Sequence, residues 1–184
     1  MRKPNPFAVP LLVCVDMQQE HLTPGRRHEM FDHQEVLSNC RRILDHWRSQ
    51  SWPVAHLKRV AQAAWFNPAS SLTDWLSDWK PRPGEIAFEH PLPSAFSSNR
   101  FSEYFAHVSP ADSLLIGFSL DDAILSTVVE GYHRGHTLRV CADAVACGQA
   151  PKCDLGAFKE VLLHLLRNYA VVESLEKHVV NQGE

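Results

Sequence analysis

Short apolar runs that alternate with amphipathic segments constrain the fold more than any other feature of this sequence. The runs lie at residues 9–15, 53–58, 85–88, 113–117 and 137–142, with a weaker one at 169–173. Most are continuously apolar, which is typical of parallel strands covered on both faces. The alternation predicts an α/β fold, with a doubly wound, mostly parallel six-stranded sheet that carries helices on both faces.

Amphipathic segments with helical spacing lie between these runs. They cover residues 32–50, 121–133 and 154–168. Asp32 is available to cap the first of them. The stretch 59–83 differs because it holds three tryptophans and shows little periodicity. We expect a long excursion there with a short helix near 70–77, and such excursions often serve as lids or contact surfaces.

Composition predicts one globular domain that spans residues 1–184, because 45% of the residues are hydrophobic and 21% are charged. The net charge of −3 indicates neither nucleic acid nor an anionic membrane as a partner. No apolar run reaches the ~20 residues of a membrane helix, and prolines interrupt the first run, so we expect an N-terminal arm rather than a signal peptide. Five cysteines without CxxC spacing predict reduced thiols and a cytoplasmic protein.

Three positions follow predicted strands, and in open parallel sheets ligands bind beyond the carboxyl ends of the strands. They are Asp16 after the first run, His90 two residues past the third, and the loop 117–123 after the fourth. A buried Asp16 suits acid–base chemistry, or it caps the turn that follows. His90 lies beside prolines and suits a pocket rim, or it is an ordinary core or surface histidine.

Three segments, in the same order, resemble those of one family, the isochorismatase-like or cysteine hydrolase superfamily. LLVCVDMQQEHLTPG is similar to its LLVIDMQNDF stretch, and EHPLPSAF resembles its K-x-x-x-S-A-F segment. LLIGFSLDDAILSTVVEGYHRGHTLRVCADA resembles its LLIxGxxTxxCVxxTAxxAxxxGYxVxVxxDA segment. The resemblance covers nearly the whole chain and implies the same α/β fold.

Members of that superfamily use a catalytic Asp, Lys and Cys. The thiolate attacks an amide or related carbonyl, the Asp carries the thiol proton, and backbone N–H groups at a helix start hold the oxyanion. By this resemblance, Asp16 stands at the position of the catalytic Asp, His90 at that of the Lys and Ala123 at that of the Cys. Thr127 matches the threonine of the third segment and so fixes the alignment. One of the three catalytic positions therefore keeps its residue type.

A methyl group at position 123 cannot form a covalent intermediate, so the amidase chemistry of the family is not expected. Two other nucleophiles remain candidates: Ser119 with His90 as its base, and Cys147 just past the fifth run. Asp121 and Asp122 are predicted to cap the helix that follows.

Residues that flank these positions are predicted to contact a ligand: Gln18, Phe118, Ser119 and Asp122. The resemblance also allows a test for metal. The Asp-x-His pair and later His of the nicotinamidase branch have no counterpart in VAHLKRVAQAAW, where His56 stands alone. We therefore predict neither a metal nor a cofactor.

Two functions fit these residues. The first is a pseudoenzyme or small-molecule-binding member that does not hydrolyse amides. The second is a non-covalent hydrolase of the isochorismatase type, which cleaves a vinyl ether with Asp16 as general acid and uses Arg59 or Arg100 for the carboxylates of its substrate. An engineered Cys→Ala exchange would explain Ala123 but not His90. The resemblance implies a homodimer or homotetramer, with the 59–83 stretch as candidate contact surface.

Overall fold

Six parallel strands form the centre of the fold. The computed structural model describes residues 9–31, 33–108, 112–148 and 153–179. The strands are β1 (Leu11–Val15), β2 (Val54–Arg59), β3 (Ile86–His90), β4 (Ser113–Gly117), β5 (Arg139–Val145) and β6 (Val171–Glu173). They pair in the order β3-β2-β1-β4-β5-β6, and every pairing is parallel. Each strand lies on a predicted apolar run, and the predicted fold class is confirmed.

Helices cover both faces of this sheet. They are α1 (His33–Ser49), α2 (Asn99–Val108), α3 (Leu125–His133) and α4 (Leu155–Leu166). The side chains of β1 alternate between the faces: Leu11, Val13 and Val15 join one apolar cluster, while Leu12 and Cys14 join the other. Buried side chains of α1 belong to the second cluster, and those of α2, α3 and α4 belong to the first. No helix within the described ranges is long and apolar enough to cross a membrane.

Helix α2 is absent from the predicted elements. Its Phe101 and Phe105 lie four residues apart and are both buried, which is the spacing of one helical face. The polar residues between them hide this pattern in a search for long apolar stripes. The predicted helix near 70–77 is also wrong, because two single 3-10 turns, Ser71–Thr73 and Ser77–Trp79, stand in its place. The predicted cap Asp32 and the predicted N-terminal arm at residues 1–8 lie outside the described residues.

The chain reverses its winding direction between β1 and β4. Strand β1 has β2 on one side and β4 on the other, so successive strands leave this point in opposite directions. Val15 and Gly117, the last residues of β1 and β4, are register partners. Doubly wound sheets bind their ligands at such a point, beyond the carboxyl ends of the strands.

Candidate functional site

Asp16 follows β1 directly and lies at this point of reversal. Its backbone has a positive φ of 49°, a conformation that Asp tolerates better than most residues. The residue has no solvent exposure. A buried carboxylate needs a partner, because burial without one costs several kcal/mol.

His90 is that partner. Its Nε2 lies 2.7 Å from Oδ1 of Asp16, and its Nδ1 lies 2.7 Å from the carbonyl oxygen of Leu92. A carbonyl only accepts, so Nδ1 carries a proton. Burial alone would lower the pKa of His90, but the charge of Asp16 and the hydrogen bonds to Asp16 and Leu92 outweigh it, and the pKa is raised. The contact with Asp16 therefore favours the protonated form of His90.

His90 is the last residue of β3, and not two residues beyond the strand as expected. Its register partner on β2 is Arg59, so His90 reaches Asp16 across the end of β2. The segment that follows is fixed to helix α3, because the N–H of Ala95 donates to Oγ1 of Thr127 over 2.9 Å in the buried interior. Thr127 therefore links the segment that follows His90 to the helix that follows Ala123.

Ala123 lies in a wide helical turn, Leu120–Ile124, that precedes α3. The turn begins after Gly117, whose φ of +117° is open only to glycine and at which a Cβ would lie 2.2 Å from the carbonyl oxygen of Val15. Ala123 is 1% exposed. The structure therefore places a buried methyl group at the position that the resemblance assigns to the nucleophile.

Backbone donors around this turn are engaged within the protein. The N–H of Leu120 donates to the carbonyl of Ala146 over 2.8 Å, and the N–H of Ile124 donates to the carbonyl of Ser119 over 2.9 Å. An oxyanion hole needs donors that are free to meet a developing negative charge. These two N–H groups do not meet that condition.

The two aspartates of this loop do not cap α3 as predicted, since the helix begins only at Leu125. Oδ1 of Asp121 instead accepts from the N–H of Gly148 over 3.0 Å. Asp122 forms a salt bridge with Nη1 of Arg59. The carboxylates therefore tie the loop after β4 to the ends of β5 and β2.

Aromatic side chains occupy the space beside Asp16. His21 packs against Phe66 and Phe118, with ring centroids 5.3 Å and 5.4 Å apart. These three residues are each at most 2% exposed. The guanidinium carbon of Arg59 lies 4.9 Å from the centre of the Phe66 ring. Sequence reasoning missed Phe66 and His21. Nothing in the spacing of the 59–83 stretch marks Phe66 as a residue that turns inward, and His21 lies in a single 3-10 turn, which has no periodicity to show its buried side.

His21 is held in one orientation. Its Nδ1 lies 2.9 Å from the carbonyl oxygen of His28, so Nδ1 carries the proton. Burial lowers the pKa of His21, although the negative charge of Asp16 opposes the shift. Within the described chain, Nε2 of His21 and Oδ2 of Asp16 are buried atoms without a hydrogen-bond partner.

Gln18 holds the 59–83 stretch in place. Its Oε1 accepts from the N–H of Arg59 over 2.8 Å, and its Nε2 donates to the carbonyls of Arg59 and Thr73 over 3.0 Å and 2.7 Å. Both ends of the amide are therefore engaged by backbone. The other predicted ligand contacts, Phe118 and Ser119, are at most 2% exposed, and Asp122 is committed to Arg59.

Cys147 is a poor substitute nucleophile. Burial, with the nearby charge of Asp121, raises its pKa to about 12. The thiolate is the nucleophilic form of cysteine, and almost none is present at neutral pH with such a pKa.

His56, the isolated candidate for zinc, is committed elsewhere. Its Nε2 lies 2.8 Å from Oε2 of Glu85, and that carboxylate also binds Arg48. Among the residues that the structure describes, no group of three or more His, Cys, Asp or Glu side chains could hold a metal ion.

An open α/β sheet with a buried Asp–His pair at its point of reversal defines a doubly wound α/β protein with its site at the usual place. The sequence profile of the isochorismatase domain matches residues 10–161. The chain therefore belongs to the isochorismatase family. No curated protein has a significantly similar sequence.

Solved structures agree with that assignment at the level of the fold. An isochorismatase from Pseudomonas putida KT2440 superposes with a TM-score of 0.85 at 21% identity, over 97% of this chain and 94% of that one. A putative hydrolase of the isochorismatase family from Chromobacterium violaceum gives 0.82 at 20% identity, over 95% of each chain. N-carbamoylsarcosine amidase from Thermoplasma acidophilum gives 0.73 at 18% identity, over 91% and 97%.

Proposed function

We propose that this protein is a pseudoenzyme or small-molecule-binding member of the isochorismatase family that does not hydrolyse amides. One observation carries the proposal: the residue at the family's nucleophile position is Ala123, a buried methyl group. Loss of the nucleophile removes the covalent route, because no acyl intermediate can form on a methyl group. The high pKa of Cys147 supports the same conclusion, because it leaves that thiol almost without thiolate at neutral pH.

The burial of the site also supports a protein that does not hydrolyse amides. Asp16 and His90 have no solvent exposure, and Phe66 is 2% exposed. A small molecule therefore reaches neither Asp16 nor His90 in this conformation. A ligand of this site has to stabilise a state in which the surrounding residues have moved.

The test is a hydrolysis assay on the purified full-length protein. Nicotinamide and N-carbamoylsarcosine are the substrates, and released ammonia is the readout; we expect none above background. The matched control is Ala123→Cys/His90→Lys, which restores the three residue types of the family triad. Hydrolysis by the natural protein that Asp16→Asn abolishes would contradict the proposal.

The second candidate function is cleavage of a vinyl ether with Asp16 as general acid. It is favoured by the buried Oδ2 of Asp16, which has no hydrogen-bond partner in the described chain. Against it, Arg59 is already paired with Asp122 and is not free for a substrate carboxylate. Release of pyruvate from isochorismate, lost in Asp16→Asn, is the result that this candidate requires. No pyruvate and no heat of binding would remove it.

Location and assembly complete the proposal. The protein is cytoplasmic in this proposal, which is supported by five free cysteines, four of them buried. It forms a homodimer or homotetramer through the 59–83 stretch. Light scattering on the purified protein measures the assembly, and a monomer at micromolar concentration would contradict that part.

A further inference from the structure

A cleft at the opposite end of the strands contains polar atoms that have no hydrogen-bond partner among the described residues. It has a volume of about 360 Å³ and lies at the amino ends of β1 and β4, where Pro10 and Leu114 line its floor. This volume falls in the range of ~300–1,000 Å³ that is usual for small-molecule sites. From Pro10 to Asp16 the strand rises about 3.3 Å per residue, so the cleft lies about 20 Å from the Asp16–His90 pair.

One wall of the cleft is aromatic. Trp47 and Trp52 meet at right angles with ring centroids 5.3 Å apart, and His46 packs against Trp52 in the same way at 5.7 Å. Trp47 is 4% exposed, and its Nε1 is buried without a hydrogen-bond partner in the described residues. An indole N–H only donates. The wall therefore offers flat apolar surface and one unsatisfied donor.

The polar side of the cleft holds a group of paired charges. Arg139 binds Asp112 through Nε and Glu173 through Nη1, each over 2.6 Å. Glu173 also has Lys177 and His178 at 3.7 Å and 3.6 Å. Glu176 lines the cleft as well, but it is exposed, so solvent screens its charge and it gives a charged ligand little stabilisation. The guanidinium of Arg139 is planar, and such groups stack well on aromatic rings.

His178 adds a second unsatisfied atom. Its side chain is 8% exposed, and Nε2 is buried and lies too far from Glu173 for a hydrogen bond. Burial lowers the pKa of His178, although the charge of Glu173 opposes the shift. A neutral imidazole nitrogen either donates or accepts, so it tolerates either polarity in a ligand.

We propose that this cleft, between the indoles of Trp47 and Trp52 and the Arg139–Glu173 pair, binds a neutral, planar heteroaromatic molecule that offers a hydrogen-bond acceptor to Nε1 of Trp47. Flat aromatic surface matches the indole wall and the guanidinium face. The acceptor satisfies the buried donor, which otherwise costs the folded state free energy. The site is independent of the proposed function, because it uses none of the residues near Asp16.

Quinoline is the probe, because it is flat and neutral at pH 8 and its ring nitrogen only accepts. Indole is the matched probe, since it has similar size but offers a donor in place of the acceptor. The experiment records the indole N–H signals of the five tryptophans by ¹H–¹⁵N NMR on the full-length protein. Quinoline is expected to shift the signals of Trp47 and Trp52 and to bind about tenfold more tightly than indole.

Trp47→Phe keeps an aromatic ring and removes the donor, so it should weaken quinoline about fivefold to tenfold and leave indole unchanged. Trp79→Phe is the control, because Trp79 is equally buried but lies outside the cleft. If the Trp47 variant does not fold, the shift pattern of the natural protein and of Trp52→Leu decides. Shifts confined to other tryptophans, or equal affinity in the Trp47 variant, would overturn the proposal.

Discussion

Among the described residues, two pairs of a histidine and a carboxylate are joined by a hydrogen bond, and they are satisfied in opposite ways. In the first pair, both nitrogens of His90 have partners while Oδ2 of Asp16 has none within the described residues. In the second, Glu85 accepts from Arg48, His56 and the N–H of Arg82, while Nδ1 of His56 has no partner there. In the first pair every hydrogen-bonding atom of the imidazole has a partner, and in the second pair both oxygens of the carboxylate have one.

The difference decides where the proton lies. Burial alone would raise the pKa of Glu85, but the hydrogen bonds that it accepts lower the pKa to about 2. Its charge is thus already balanced by Arg48, and burial lowers the pKa of His56 despite the contact with Glu85. Among the described residues, Asp16 has no arginine in hydrogen-bond contact, and its charge and hydrogen bond raise the pKa of His90. The pKa of the histidine is thus raised where it is the principal partner of the carboxylate and lowered where an arginine takes that place.

Removal of His90 should have the largest effect. His90→Leu leaves the carboxylate of Asp16 buried without its partner, and we expect a loss of about 3–5 kcal/mol in the free energy of unfolding. Urea unfolding at pH 7 measures it. The matched control is Asp16→Asn/His90→Leu, since Asn carries no charge and tolerates the positive φ at position 16. The single variant should be the less stable of the two, and the reverse order would contradict an uncompensated charge as the cause.

Removal of His56 should cost less. In His56→Leu the carboxylate of Glu85 keeps both hydrogen bonds to Arg48, so we expect a loss of about 1–2 kcal/mol, near that of one hydrogen bond. The same urea experiment applies. If His56→Leu destabilises the protein as much as His90→Leu, the saturation of the carboxylate is not what distinguishes the pairs.

The smallest effect is the opposite pH dependence of the two histidines. The pKa of His90 is raised on folding, so its stabilisation is fully present below the unfolded value of about 6.5 and is lost as pH rises through the folded value. The pKa of His56 is lowered, so it favours unfolding as pH falls below about 6.5. Imidazole ¹⁵N shifts should therefore show His90 protonated and His56 neutral at pH 6.5. The stability advantage of the natural protein over His90→Gln should shrink above that pH, and a constant difference would argue against the ion pair.

Much of the fold follows from local sequence. The apolar runs identify all six strands, and the clearest are β1 and β4, which are buried at every residue and so leave no room for charged side chains. Helix α2 could not be predicted from the local sequence, because its buried face consists of two phenylalanines among polar neighbours. The prediction that Asp121 and Asp122 cap α3 is wrong because a wide turn precedes the helix, which begins only at Leu125. No spacing rule predicts such a turn.

The site is predictable only in part. Positions 16 and 90 follow from the rule for strand ends, and the structure joins them over 2.7 Å. The contribution of Phe66 depends on the path of the 59–83 stretch, which has no periodicity to read. Its path is set by contacts distant in sequence, such as those of Gln18 with Arg59 and Thr73.

Gln18 makes residues 59–73 a closed loop without a covalent bond. One amide joins the two ends, so the loop behaves as if it were cross-linked, and its closure entropy is offset by three hydrogen bonds at a single side chain. The length of the segment between these ends can vary at little cost in closure entropy, since that cost rises only slowly with loop length. Phe66 is the fixed part of the segment, because it is 2% exposed and packs against His21, so changes in length are tolerated where they leave this ring in place.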